Sequence, residues 1–540
     1  MKTNRLSYIQ NILVPCLVFS AAAGVFTGIL IFLFKAAVSW VTAHSETVYE
    51  AVHTNPVRIP VLIAGMALVG WLAAVILNYA PEARGGGIPT AITILRGIVP
   101  FHWIKSILSV FGSAMLTYFC GVPLGNEGPS VQMGTAVGRG TVALFAKKHP
   151  AWDRYIMTGG ACAGFAAATG SPITGMLFAF EEAHRRISPM LIMTASMTAL
   201  TGTATMRLLC LLTDVPFYLF HFSADAVLPL SYLWCAVLVG LLAGLTAAGF
   251  TRAYRGIRFF VKQILGRVPF TVKIISVFVL SACVGIAVPI CTGSGHHLID
   301  SLMEGDRVTV ALIAVFLVRA LLLLLANNAD VTGGLFVPTL AFGAILGALS
   351  GKLLIFAEIL PEEYYTAIVI MGIAAYLGAS SRTPLIAMAF SLEALNGITN
   401  IIPLFTAVTI SFLVIETSGI ASFTDTVIES KVETLHHGQK AYVIEADMTV
   451  VPGSFACGKE VHDLILPHSC VIMYIQKHTA HPSSASFLAA GDIVHLYIRT
   501  FDPTETKIQL ESIVGEQTKE TYTKISFAKE NQFVPEWYCV

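Results

Sequence analysis

The sequence predicts an all-α polytopic membrane protein, an inverted repeat of tilted and broken helices followed by a small α/β or α+β soluble domain. Three observations carry that prediction. The 540-residue chain is 55% hydrophobic and 12% charged, with a mean hydropathy of +0.73, outside the composition of ordinary soluble domains. Its apolar background is interrupted twice in the same way, by Gly125-Asn126-Glu127-Gly128-Pro129 and by Gly334-Leu335-Phe336-Val337-Pro338, at an offset of 209 residues. From about Thr426 onward charged residues become frequent and the apolar pattern turns to short alternating segments, as in a sheet with one face in water.

At the N-terminus, Lys2 and Arg5 precede an apolar run at residues 12–38. No small-residue cleavage site follows at the distance a signal peptide needs, so the run reads as a retained membrane helix with its start in the cytoplasm. Further long runs occupy 59–77, 232–250, 274–290, 308–325, 340–355 and 404–420. Predominantly apolar stretches of this kind require helices, because an open sheet would leave backbone groups unpaired in lipid. Two others, 173–180 and 385–392, fall short of the ~20 residues that cross the hydrocarbon core and imply half-helices. They belong to a second internal match: residues 160–181 overlay 372–393 without gaps. Gly160, Ala163, Ala167, Pro172, Met176, Phe178 and Glu181 fall on Gly372, Ala375, Ala379, Pro384, Met388, Phe390 and Glu393 at an offset of 212. Duplication of this kind marks transporters whose substrate sits between the repeats.

The paired interruptions each set Gly and Pro just ahead of a helical run. A helix starting at membrane depth presents unpaired N–H groups and the positive end of its dipole, so each is an anion site, and the expected cargo is an anion. Glu127 sits inside the first such turn. Its ionised carboxylate would occupy the cradle an anion needs and its protonation would free it, making one residue both gate and proton carrier; the competing reading is a helix-capping Glu. A third break, Gly85-Gly86-Gly87-Ile88-Pro89, suits close approach of backbone to a ligand or is a plain interhelical loop. Glu181 and Glu182 are adjacent, about 100° apart on a helix, so at most one faces a pore; a solvated boundary Glu is the alternative to a proton relay. Arg382 and Glu393 read as a structural cap and part of a buried polar pair. Ten scattered cysteines without CxxC, and a His296-His297 pair without a further ligand at helical spacing, call for no metal and no cofactor. Zero net charge and a pI of about 7.2 point away from nucleic acid.

The ordered set of Gly85 to Pro89, Gly125 to Pro129, Gly164-Phe165-Ala166-Ala167-Ala168 with Pro172 and Glu181-Glu182, Gly293-Ser294-Gly295, Gly334 to Pro338, and Arg382-Thr383-Pro384-Leu385 with Glu393 resembles the CLC family of chloride channels and anion/proton antiporters over residues 14–430. The resemblance implies a homodimer in the inner or plasma membrane, with one pathway per subunit. It makes Glu127 the external gating glutamate and Glu182 the internal proton-transfer residue. Gly85, Gly86, Gly87, Ile88, Asn126, Gly128, Leu335, Phe336 and Val337 become the anion-binding positions. Three departures stand out: Gly86 replaces the usual serine, Asn126 replaces the arginine before the glutamate, and no tyrosine lies near Ile428 at the inner gate. The first two resemble the fluoride/proton antiporter branch. The expected function is therefore proton-coupled halide antiport, not enzymatic turnover, with fluoride favoured and chloride next. A passive channel is the first rival, but both glutamates are retained. A potassium-uptake component is the second, but a Gly-Tyr-Gly-like filter and a nucleotide-binding unit are missing. Within 440–515, Thr449 to Ser454, then Gly458-Lys459 with Leu464 and Pro467, then Leu488 to Val494 resemble the regulatory C-terminal domain of TrkA-type potassium-uptake proteins, and the segment is expected to be cytoplasmic, open to a small ligand; 516–540 reads as a terminal tail.

Overall fold

The computed structural model describes residues 14–527 except 86, 100, 146–149, 214, 221, 223–225, 265, 306–308, 436–438, 440, 468–469, 478–486 and 516–522. Gly86 and the end of the terminal tail thus lie outside the described residues. The first half consists of α1 (Val14–Thr54), α2 (Ile59–Tyr79), α3 (Ile88–Leu95), α4 (Trp103–Phe119), α5 (Glu127–Phe145), α6 (Asp153–Thr169), α7 (Pro172–Phe178) and α8 (Pro189–Leu211). The second half repeats the series as α9 (Leu233–Ile264), α10 (Phe270–Ala287), α11 (His296–Met303), α12 (Thr309–Asn328), α13 (Phe336–Phe356), α14 (Tyr365–Ser381), α15 (Pro384–Glu393) and α16 (Ile401–Thr417), and α17 (Phe423–Leu435) follows. The starts of α6, α7 and α8 and those of α14, α15 and α16 differ by the 212 residues that the sequence match gave. Among the described residues eight helices are long and apolar enough to cross a membrane.

Some helices outrun the apolar stretches that announce them. α1 has 41 residues and α9 has 32, lengths of about 60 and 48 Å at 1.5 Å per residue against a ~30 Å hydrocarbon core. Both continue as polar helix after the apolar run ends, where hydropathy gives no stop signal and no proline intervenes. The short helices behave otherwise. α7 and α15 each start with Pro at the first turn, directly after α6 and α14 end on the left-handed Gly170 and Arg382.

Equivalent residues of the two halves exchange the same contacts. Gly125 and Gly334 form an antiparallel bridge, N–H to O at 2.8 and 2.6 Å. The Glu181 carboxylate accepts from Leu385 and Ile386 N–H at 2.8 and 2.7 Å, at the start of α15. The Glu393 carboxylate accepts from Ile173 and Thr174 N–H at 2.9 and 2.8 Å, at the start of α7, and from the Thr174 hydroxyl. Reciprocity of this kind is what a two-fold relation between inverted repeats produces. Close backbone approach holds each half together: a Cβ on Gly134 would stand 2.1 Å from Gly160 O, and one on its counterpart Gly343 would stand 2.6 Å from Gly372 O, the small-residue packing of membrane helices.

After α17 come β1 (Tyr442–Thr449), β2 (Cys470–Gln476), β3 (Ile493–Thr500), α18 (Pro503–Val514) and β4 (Thr523–Phe527). They form one antiparallel sheet of order β2-β3-β1-β4. Because β4 pairs with β1, the sheet runs past residue 515, where the sequence ends the module. The unit has its own core around Ile444, Val450, Leu464, Leu496 and Leu510. It is seated on the membrane region: Arg154 donates to Leu466 O and Gln509, and Tyr155 donates to Asp463 O while accepting from Ile465 N–H.

Candidate anion site

Three helices begin at one place because three glycine-rich turns meet there. α3, α5 and α13 start at Ile88, Glu127 and Phe336, with Pro89, Pro129 and Pro338 in their first turns, which sets a helical φ where no donor is required. The first intrahelical acceptors are reached by Ala91, Ser130 and Thr339 N–H, so the amides ahead of them remain as donors at the positive ends of three dipoles. A Cβ on Gly128 would lie 2.7 Å from the Cα atoms of both Gly87 and Gly334. Only glycine allows the three turns to converge.

Glu127 is fully buried at this convergence. Its carboxylate lies beside the N–H groups of its own residue and of Val337, yet neither oxygen closes a hydrogen bond among the described residues. Lys35 of α1 is the cation within electrostatic reach, itself buried and donating to Phe217 O at 3.1 Å. Such an acid is in the place of an anion rather than in an ion pair.

Gly85 and Gly87, which the sequence places among the anion-binding residues, do not keep free amides. Gly85 N–H donates to Asp330 O at 2.7 Å, and Gly87 N–H donates to Gln132 Oε1 at 3.2 Å. A buried donor satisfied by the protein is not available to a ligand, so these glycines shape the turn and leave ligation to the other amides. Gln132, on α5, is fully buried and also donates to Glu82 O at 2.8 Å. Asn126 contributes its carbonyl, which accepts from Ser130 N–H and Oγ.

Ile88, Leu335 and Phe336 line a cavity of ≈ 30 Å³ together with Glu182, Thr339, Thr383, Phe423 and Thr424, room for one or two water-sized species. Phe336 packs at right angles against Phe165 and Phe390, both at 5.0 Å between centroids. Glu182 is 7% exposed and belongs to a π-helical turn, Ala179–Ala183, a local irregularity that recurs at functional sites. It accepts from Thr424 Oγ1 at 3.2 Å. Glu127, Gly128 and Val337 are not among the lining residues; they form the convergence beyond it. Ile428, near which the family resemblance places the inner gate, is buried, and Phe423 and Thr424, one turn earlier, meet the cavity. Thr424, Gln132 and Lys35 carry no motif; only the buried position of a polar residue in an apolar run marks them.

A fixed set of unpaired amides, a buried acid among them and a second acid on an adjoining cavity can hold an anion and move a proton. The family model for voltage gated chloride channels matches residues 62–416, more than half of the chain. The H(+)/Cl(-) exchange transporter ClcA of Cronobacter sakazakii is 28% identical over 408 residues, 72% of this chain and 84% of that protein. ClcA of Citrobacter koseri is 28% identical over 401 residues, 71% and 82% of the two chains. A slow cyanobacterial Cl-/H+ antiporter superimposes with a TM-score of 0.69 at 24% identity, over 77% of this chain and 98% of that one. A CLC-type fluoride/proton antiporter superimposes with a TM-score of 0.62 at 17% identity, over 77% and 98%. The chain belongs to the CLC family of voltage gated chloride channels and anion/proton exchangers.

Proposed function

We propose that the protein is a proton-coupled halide antiporter that exchanges chloride for protons. The observation that carries the reading is the pair of buried acids: Glu127 among the amides of α5 and α13, and Glu182 on the cavity that ends at Leu335 and Phe336. A passive pore needs an open amide site but no second acid, and an intramembrane acid is costly unless used. Chloride comes ahead of fluoride, which the sequence favours, because both curated relatives named above are H(+)/Cl(-) exchangers. Fluoride is the second reading. It rests on the missing hydroxyl at Gly86, on Asn126 and on the rings of Phe165 and Phe390 around Phe336, since aromatic edges carry positive charge and fluoride is the smaller, more strongly hydrated ion. Substrate is translocated and not chemically changed. The reading includes a homodimer in the cell membrane and a cytoplasmic tail module of TrkA type that adjusts transport and takes a small ligand.

Reconstitution in liposomes with simultaneous recording of halide efflux and pH tests this reading. Chloride efflux that drives proton uptake supports it. Proton-coupled fluoride efflux with chloride excluded would replace chloride by fluoride, and halide flux that leaves pH unchanged would replace exchange by a channel.

A further inference from the structure

We propose that Lys431 is a positioning residue for the anion cradle, a single ammonium on α17 that clamps the glycine turn before α3 and ties it to the turn before α13. The proposal rests on the halide-transport reading of the site. Lys431 Nζ donates to Arg84 O at 2.7 Å and to the Thr90 hydroxyl. It therefore grips the loop on both sides of its three glycines. Thr90 Oγ1 in turn reaches Gly85 O at 3.3 Å, closing the loop on itself.

The second half is joined at the same point. Gly85 N–H donates to Asp330 O at 2.7 Å, and a Cβ on Gly85 would stand 3.2 Å from Asp330 Oδ1 and 3.4 Å from Lys431 Nζ. Gly85 and Asp330 both adopt left-handed backbone, φ +56° at each. Glycine adopts this region freely; at Asp330 it is less favoured, and the bond from Gly85 N–H, with the Lys431 ammonium alongside, holds it there. Asp330 lies four residues ahead of Gly334, which pairs with Gly125. The cation thus bears on the turns that open α3 and α13, while Phe423 and Thr424 at the start of its own helix line the cavity. Arg84 shares the electrostatic reach to Asp330 but not the clamp, since its guanidinium donates to Leu77 O and Asn78 and lies over the Phe270 ring.

The test is halide KM and maximal turnover in proteoliposomes, for chloride and fluoride separately, with thermal stability of the same preparations. Lys431→Met should raise halide KM about tenfold, the effect of one charge-assisted hydrogen bond, and change the chloride-to-fluoride ratio. Lys431→Arg should restore part of both. Lys262→Gln is the control, because Lys262 pairs with Glu433 of α17 and reaches neither the loop nor Asp330; it should leave KM and the ratio unchanged. Should Lys431→Met not fold, the near-isosteric Thr90→Val removes one arm of the clamp and should raise KM in the same direction. Folded Lys431→Met or Thr90→Val protein with wild-type KM and ratio overturns the proposal, as does an equal KM change in Lys262→Gln. Failure of the wild-type protein to move any halide overturns the functional reading instead.

Discussion

Glu127 has nowhere to put its charge except among amides that an anion would use. It is fully buried, neither oxygen closes a hydrogen bond among the described residues, and its nearby cation Lys35 is committed to Phe217 O. Glu127→Gln keeps the shape and removes the ionisation, so anion movement should persist while proton coupling is lost. Proton uptake driven by an anion gradient measures it, and uptake at the wild-type rate would exclude the gating role. Glu182→Gln should slow proton transfer with the anion site intact, because its acid lies on the cavity beside Thr424 rather than among the amides. Gly128 is constrained from another side. An added methyl would stand 2.7 Å from two backbone Cα atoms that belong to different turns, so Gly128→Ala must part the convergence. Loss of halide flux with retained assembly is the expected outcome, and wild-type flux would show that the turns can separate freely.

The short helices are stabilised across the repeat rather than within it. Glu181 and Glu393 each cap the short helix of the other half, α15 and α7, where a carboxylate meets two orphan N–H groups and the positive end of the dipole. Glu181→Ala and Glu393→Ala should therefore cost similar stability, on the order of 1–2 kcal/mol each as for other lost N-caps, read as equal shifts in denaturant midpoint. Glu181→Ala should leave proton flux alone, in contrast to Glu182→Gln; a proton defect without a stability change would reverse the two assignments. These contacts show what the sequence discloses and what it does not. Gly125 and Gly334 are visible because a backbone that must approach another backbone requires glycine, and the requirement repeats at a fixed offset. The starts of α7 and α15 are visible because proline marks them. That Glu181 turns to Leu385 while Glu182 turns to Thr424 depends on helix crossings and on a π-turn, which leave no periodic trace. The engagement of the Gly85 and Gly87 amides by Asp330 and Gln132 is equally hidden, since both partners come from distant elements.

At the scale of the whole molecule, the membrane region and the tail unit are joined through a contact that should respond to pH. Lys459 is 3% exposed, its ammonium over the Phe455 ring and 3.6 Å from Met190 Sδ at the start of α8. Burial pushes its amine down from 10.5 to about 7, opposed weakly by Cys16 and Asp463. The ring favours the charged form, but loss of solvation outweighs it. Between about pH 7 and 10.5 the docked tail binds fewer protons at this site than an undocked one, where Lys459 would be solvated and charged. Docking is therefore firmest above 10.5 and weakens as pH falls toward 7, below which the lysine is charged in both states and the slope disappears. Hydrogen exchange at Ile465, whose N–H donates to Tyr155 Oη across the joint, reads this directly. Protection should increase from pH 7 to 9 after correction for the intrinsic rate, and Lys459→Met should abolish the dependence while keeping the contact. A slope that survives in Lys459→Met would place the titrating group elsewhere. With the slope tied to Lys459, a protein proposed to move protons would also carry, between its membrane region and its tail, a joint whose strength depends on them.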